Sequence, residues 1–154
     1  MMSQTKKLSI AFYWHMHQPV YQLSPEGDYL MPWTRLHAVK DYLDMVLILD
    51  KFKNTKLNFN IVPVLLDELI DYGENNMHDI HSRLTITDVD DLTDDDKEFI
   101  INNFFDANFH SMILPNEEYN RLYQKYQLCE NNDINIFSPQ EYSDLMALFN
   151  LVWF

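Results

Sequence analysis

Two histidines and a glutamine lie within four positions of one another at the end of an apolar segment. His15, His17 and Gln18 directly follow residues 8–14, a run rich in β-branched and aromatic side chains. That run predicts a strand buried on both faces, and Pro19 ends it because proline lacks a backbone donor. Side chains alternate along a strand, so the two imidazoles point to the same face. Ligands bind α/β folds where strands end at their carboxyl side, so this pattern predicts a binding site.

More than one chemistry fits the two histidines. A histidine near a strand end often has a structural role, but two on one face, flanked by Trp14 and Tyr21, favour a ligand site. A His-x-His pair on one strand face is also acceptable spacing for metal ligands, with Asp41 or His37 as a third ligand. A metal-dependent hydrolase therefore stays open as an alternative, although no carboxylate follows close to the strand end.

Composition and charge narrow the class of protein. The 154 residues are 47% hydrophobic and 14% aromatic, which indicates a folded globular chain with a real core. Eleven basic against 24 acidic residues give a formal charge of -13, which disfavours nucleic acid or an anionic membrane as partner. The single cysteine, Cys129, excludes an intramolecular disulfide framework and a zinc ribbon. No apolar run reaches the length of a membrane span, so we expect a cytoplasmic protein.

The first half of the chain predicts a parallel sheet. Apolar residues at three- and four-residue steps predict a helix over residues 35–52 with Thr34 as its N-cap. A second strand is predicted over residues 57–62, and Pro63 suits the first turn of a helix over residues 64–72. Strand, helix, strand, helix is the pattern of a parallel α/β sheet.

The second half predicts helices without strands. We interpret residues 73–93 as a polar connection and predict helices over residues 95–112 and 117–127. A last helix is predicted to begin after Ser138, since a serine N-cap, Pro139 and Glu141 form a helix start.

Two strands are too few for an independent sheet, and a complete eight-stranded barrel takes about 250 residues. The final residues, 151–154, are still apolar. We therefore expect residues 1–154 to be the amino-terminal piece of one larger α/β domain.

Three ordered blocks give the chain a resemblance to a known family. They are HxHQPxY at residues 15–21, PWxRLHAxKDYxDM at residues 32–45 and NFNxVPxLL at residues 58–66, followed by NFFDAN at 103–108 and NLxWF at 150–154. In this order they resemble glycoside hydrolase family 57, and look closest to its amylopullulanase-like and α-amylase-like members. The resemblance covers nearly the whole chain.

The resemblance implies a fold and an activity. Members of that family are retaining enzymes that act on α-glucans and are built on an incomplete (β/α)7 barrel. This chain would supply two parallel strands of that barrel with an inserted helical segment. The catalytic Glu and Asp of the family lie on later strands, and neither of their blocks has a match here. No residue of this chain is therefore assigned as catalytic, and no metal or cofactor is implied.

The resemblance also implies substrate-binding residues for an α-glucan or maltooligosaccharide. His15 and His17 would line the subsite next to the cleaved bond and donate hydrogen bonds to sugar hydroxyls. The full expected set is His15, His17, Gln18, Trp14, Tyr21, Trp33, Arg35 and His37. An ion pair of Arg35 with Asp41 or Asp44 is an equally open interpretation. A short glucan-binding remnant without catalysis is the other alternative.

Overall fold

The two predicted strands pair in parallel. The structure is a computed structural model that describes residues 8–24, 27–128 and 133–154. In these residues β1 (Tyr13–Met16) and β2 (Asn58–Ile61) form one two-stranded parallel sheet, in which His15 lies opposite Asn60. Helices precede and follow β2, so the described residues have the α/β architecture with parallel strands that the pattern predicts.

β1 lies later in the sequence and is less buried than predicted. The run 8–14 was expected to be buried on both faces, but Leu8, Ile10 and Phe12 are 85%, 71% and 55% exposed. β2 is only four residues long and pairs with residues 13–16, and its Asn58 also donates to the Phe12 carbonyl, so the residues before Phe12 have no neighbouring strand in the described part of the chain. An apolar run shows that burial is favourable, but the partner strand decides where pairing occurs.

A continuous helical segment connects the two strands. It consists of α1 (Trp33–His37), a π-helical turn (Ala38–Tyr42) and α2 (Leu43–Leu49). The prediction of Thr34 as N-cap is wrong: Thr34 lies inside the first turn, fully buried, and Pro32 precedes the helix. Its hydroxyl instead donates to Oε2 of Glu68 at 2.6 Å, because α1 packs against the following helix, α3 (Pro63–Gly73).

The interpretation of residues 73–93 as a polar connection is wrong. They contain α4 (Ile80–Ile86) and a 3-10 turn (Val89–Asp91). Asp79 caps α4 by accepting from the Ser82 backbone, and the Ser82 hydroxyl accepts from the Asp79 backbone in return. The box uses serine where glutamate is the usual partner, which made it hard to detect in the sequence.

The helix predicted over residues 95–112 is shorter. α5 (Asp94–Asn103) ends before Phe104, whose carbonyl accepts from the Tyr119 hydroxyl at 2.5 Å instead of from a further helical turn. A separate π-helical turn, Phe109–Ile113, follows. α6 (Glu117–Gln127) has the predicted bounds, and α7 (Pro139–Leu151) begins with the predicted Ser138 and Glu141 capping box.

The main hydrophobic core lies among the helices of the second half. α4, α5, α6 and α7 contribute most of it, and Leu36 of α1 inserts into it from the first half. Its fully buried members include Leu36, Leu84, Ile100, Ile101, Phe104, Tyr119, Leu122, Leu145 and Phe149. Because Leu36 is buried in this core, α1 packs against the helices of the second half.

Candidate functional site

The two histidines share one face at the carboxyl end of β1. Both are exposed, and their rings stack with centroids 6.1 Å apart and planes 13° from parallel. The Nδ1 atom of His15 lies 2.6 Å from Oδ1 of Asn60, the residue opposite it on β2. An amide oxygen only accepts, so Nδ1–H of His15 donates this bond, and Nε2 has no partner among the described residues.

The side chains of Gln18 and Tyr21 hold residues 17–21, the histidine loop, in place. The Gln18 amide nitrogen donates to the Tyr42 hydroxyl at 3.0 Å, and the Tyr21 hydroxyl donates to the Gln18 amide oxygen at 2.9 Å. Both residues are half-buried. The loop is therefore attached through side chains to the π-helical turn that contains Tyr42.

Glu68 is a buried carboxyl group beside this loop, and sequence reasoning assigned it no role. It is 3% exposed, and its two oxygens accept from the Tyr21 backbone at 3.3 Å and from the Thr34 hydroxyl at 2.6 Å. Burial raises the pKa of Glu68, whereas these two donors and the nearby His17 act to lower it. The one sequence signal was its position three residues after Leu65, on the apolar face of α3.

Arg35 is engaged inside the protein. Its Nε and Nη2 donate to the two carboxylate oxygens of Asp79 at 2.6 and 3.3 Å, and its Nη1 donates to the Asn150 side chain at 3.0 Å. Asp79 is fully buried. The alternative prediction that Arg35 pairs with Asp41 or Asp44 is wrong. Asp41 pairs with His37, and Asp44 pairs with Lys40. Arg35 thus connects α1 with α4 and α7, and its two hydrogen bonds to the Asp79 carboxylate fix the relative orientation of these two side chains.

Trp33 and His37 belong to a second aromatic group, built around Trp153. The ring centroid of Trp153 lies 5.9 Å from that of Trp33 and 5.7 Å from that of His37. His37 Nδ1 is hydrogen-bonded to the Asp41 carboxylate, and its ring lies 6.3 Å from that of Tyr42. Since Tyr42 accepts from Gln18, this group is connected to the histidine loop through Tyr42.

Trp14 lies apart from both groups. Its ring packs edge-on against Phe59, with centroids 5.4 Å apart and an angle of 83°. Because it precedes His15 on the strand, its side chain lies on the opposite face of the sheet from the two histidines. Of the expected residues, the structure therefore brings His15, His17, Gln18 and Tyr21 together, places Trp33 with His37, and separates Trp14 and Arg35 from them.

No three His, Cys, Asp or Glu side chains in residues 8–24, 27–128 and 133–154 form a group suited to hold a metal ion. The bond of His15 Nδ1 to Asn60 leaves Nε2 as the one nitrogen of that ring that could bind a ligand. The metal alternative gains no support from this donor set.

The two parallel strands and their helices define an α/β protein, in which the exposed imidazoles at the end of β1 form a candidate site for a polar small molecule. Residues 11–154 match the family model described as glycosyl hydrolase family 57, and the chain belongs to that family. The resemblance found in the sequence is thereby confirmed, and it implies a carbohydrate substrate. Comparisons with curated proteins and with solved structures returned no match. In the described residues, no helix has both the length and the apolar character needed to cross a membrane.

Proposed function

We propose that this chain forms the sugar-binding, amino-terminal part of a retaining glycoside hydrolase that acts on α-glucans. The observation that carries the proposal is the stacked pair of exposed imidazoles, of which His15 is oriented by Asn60. His17 makes no hydrogen bond to any described residue, so its ring nitrogens are available to a ligand. Together the two rings offer both acceptors and donors, which matches sugar hydroxyls, since each hydroxyl does both.

Apolar surface around the sheet supports the proposal that further strands complete the domain. Val46, Ile61 and Leu66 are 52%, 47% and 49% exposed. A cleft of about 290 Å³ lies between the sheet and the helices, with apolar walls that include Met16 and Leu65. A parallel sheet is normally covered on both faces, so additional strands and helices of a (β/α)7 barrel would bury this surface.

The catalytic carboxyl groups are proposed to lie on those further strands. Retaining hydrolysis requires a nucleophile and a proton donor about 5–5.5 Å apart across the scissile bond. Glu68 is the carboxyl group next to the histidine loop, but it is buried and both of its oxygens accept hydrogen bonds from the protein. Its geometry suits the positioning of Tyr21 and Thr34, not attack on a sugar.

The first test is binding by the purified chain. Maltoheptaose is titrated calorimetrically into the wild type and into His17→Ala, which should bind about tenfold more weakly after the loss of a hydrogen bond in the site. His78→Ala is the matched control, because the His78 ring lies beside Ser82 of α4 and lines neither the strand end nor residues 106–112. Equal affinity of wild type and His17→Ala would remove the histidine pair from the site.

The second test is activity. We expect the purified chain to release no product from starch, pullulan or a chromogenic maltoside, because the two catalytic carboxyl groups are proposed to lie on further strands. If the chain does release product, and a single substitution of an acidic residue within these 154 positions abolishes that activity, this assignment is wrong and the catalytic pair lies in this chain.

A further inference from the structure

A second open cavity lies away from the histidine pair, where the start of α1 meets residues 106–112 and Trp153. Its volume is about 370 Å³, and its lining consists of Trp33, Asp106, Ala107, Asn108, Met112 and Trp153. Of these six residues, only Trp33 belongs to the set of site residues predicted from the sequence. Two indoles, a carboxylate and an amide around one concave surface form a mixed aromatic and polar lining typical of small-molecule sites.

The two indoles form the aromatic wall of this cavity. Trp33 and Trp153 are both half-buried, with ring centroids 5.9 Å apart and planes at 53°. Indole faces are large apolar surfaces with negative potential, on which the C–H face of a pyranose ring stacks favourably. The buried indole N–H of Trp153 makes no hydrogen bond with any described residue, which is uncommon for a buried donor.

The polar groups of the cavity are available to a ligand. Asp106 is exposed, and its carboxylate makes no ion pair or hydrogen bond within the described residues. Asn108 accepts from the Ser111 backbone and hydroxyl through Oδ1, at 3.0 and 2.9 Å, which leaves its amide nitrogen free to donate. An acceptor and a donor side by side suit neighbouring sugar hydroxyls. The negative charge of Asp106, in a chain of net charge -13, disfavours phosphorylated or uronic saccharides.

A row of side chains connects this cavity to the histidine loop. Gln18 donates to Tyr42 at 3.0 Å, Tyr42 lies beside His37, and His37 lies edge-on to Trp153. We infer that the cavity between Trp33 and Trp153 is an outer subsite that holds a distant glucose unit of a neutral glucan chain whose other end lies at His15 and His17. The inference rests on the proposed function for the histidine end of this row.

The test follows the indole N–H signals of Trp33 and Trp153 in nitrogen-15-labelled full chain during titration with maltoheptaose. Replacement of each tryptophan in turn by phenylalanine assigns the signals. We expect both signals to shift with the sugar, and we expect Asp106→Ala to weaken maltoheptaose binding about tenfold through loss of a charge-assisted hydrogen bond. Asp50→Ala, an exposed carboxylate at the end of α2, is the matched control and should leave the affinity unchanged.

The outcomes separate this subsite from the histidine site. If His17→Ala weakens binding but the two indole signals do not move, the outer subsite is wrong while the proposed function stands. If the indole signals move and Asp106→Ala weakens binding, but His17→Ala has no effect, the cavity binds sugar without the histidine pair and the connected row is wrong. Shifts of the same size with an oligogalacturonate would overturn the assignment to neutral saccharides.

Discussion

His81 gives the sharpest test of the packing, because a titratable ring is buried in an aromatic cluster. The residue is 3% exposed, and its ring centroid lies 5.2, 4.9 and 5.1 Å from those of Phe99, Phe104 and Phe149. Its Nδ1 atom has no partner among the described residues. Burial lowers the pKa of His81 to about 4; Asp79 opposes this shift and Arg35 adds to it.

The shift converts into a pH-dependent stability. A fall from about 6.5 in the unfolded chain to about 4 in the fold is roughly 2.5 pKa units, or about 3 kcal/mol. The folded state holds the ring neutral, so between these two values the unfolded chain binds more protons. The free energy of unfolding therefore decreases as the pH falls below about 6.5, and about 2 kcal/mol is lost by pH 5.

The assay is urea denaturation of the wild type and His81→Phe at pH 7.5 and pH 5. Phenylalanine keeps the aromatic packing but does not titrate, and all carboxyl groups titrate alike in both proteins. We expect the wild type to lose about 2 kcal/mol more than the variant over this range. Parallel losses in the two proteins would show that His81 is protonated without cost and that the reasoning from burial is wrong.

Three further stability predictions follow from buried polar contacts, each measured by urea denaturation at pH 7.5. Asp79→Ala should cost about 3–5 kcal/mol, because it leaves Arg35 without its buried partner; a loss below 1 kcal/mol would mean that water or another group replaces it. Thr34→Val should cost about 1.5–3 kcal/mol by removing the hydroxyl that donates to Glu68, and an unchanged midpoint would contradict that contact. Ser138→Ala should cost about 1 kcal/mol through loss of the α7 cap, with Ser143→Ala, an exposed position within the same helix, as control.

The elements predicted most accurately are those with local signals at their ends. α7 begins where Ser138, Pro139 and Glu141 indicate, because a capping box is encoded within four residues. β1 was placed too early because its position depends on β2, 45 residues away, and no local pattern encodes that register. α4 is not evident from the sequence because its N-cap, Asp79, has a serine as capping-box partner where glutamate is usual, in a stretch of mostly polar residues.

In the candidate site, too, features that depend on neighbouring residues can be predicted from the sequence, whereas contacts between residues far apart in the sequence cannot. That His15 and His17 share a face follows from the two-residue period of a strand. The contacts of Asn60 with His15, of Glu68 with Thr34 and of Asp79 with Arg35 join residues 34–45 positions apart. Such contacts depend on how α1, α3 and α4 pack, which the order of apolar and polar residues leaves undetermined.

The position of the core has a consequence for local opening and hydrogen exchange. Helices α4–α7 surround the buried cluster, whereas the described pairing of β1 is four residues long and faces solvent beside His15. Amides of α5 and α7 should therefore exchange only through global unfolding, and those of β1 through brief fraying. A saccharide bound at the strand end would slow exchange most where protection is lowest, since a ligand stabilises the conformations that it binds. The histidines thus lie on the part of the molecule whose opening a ligand can suppress most.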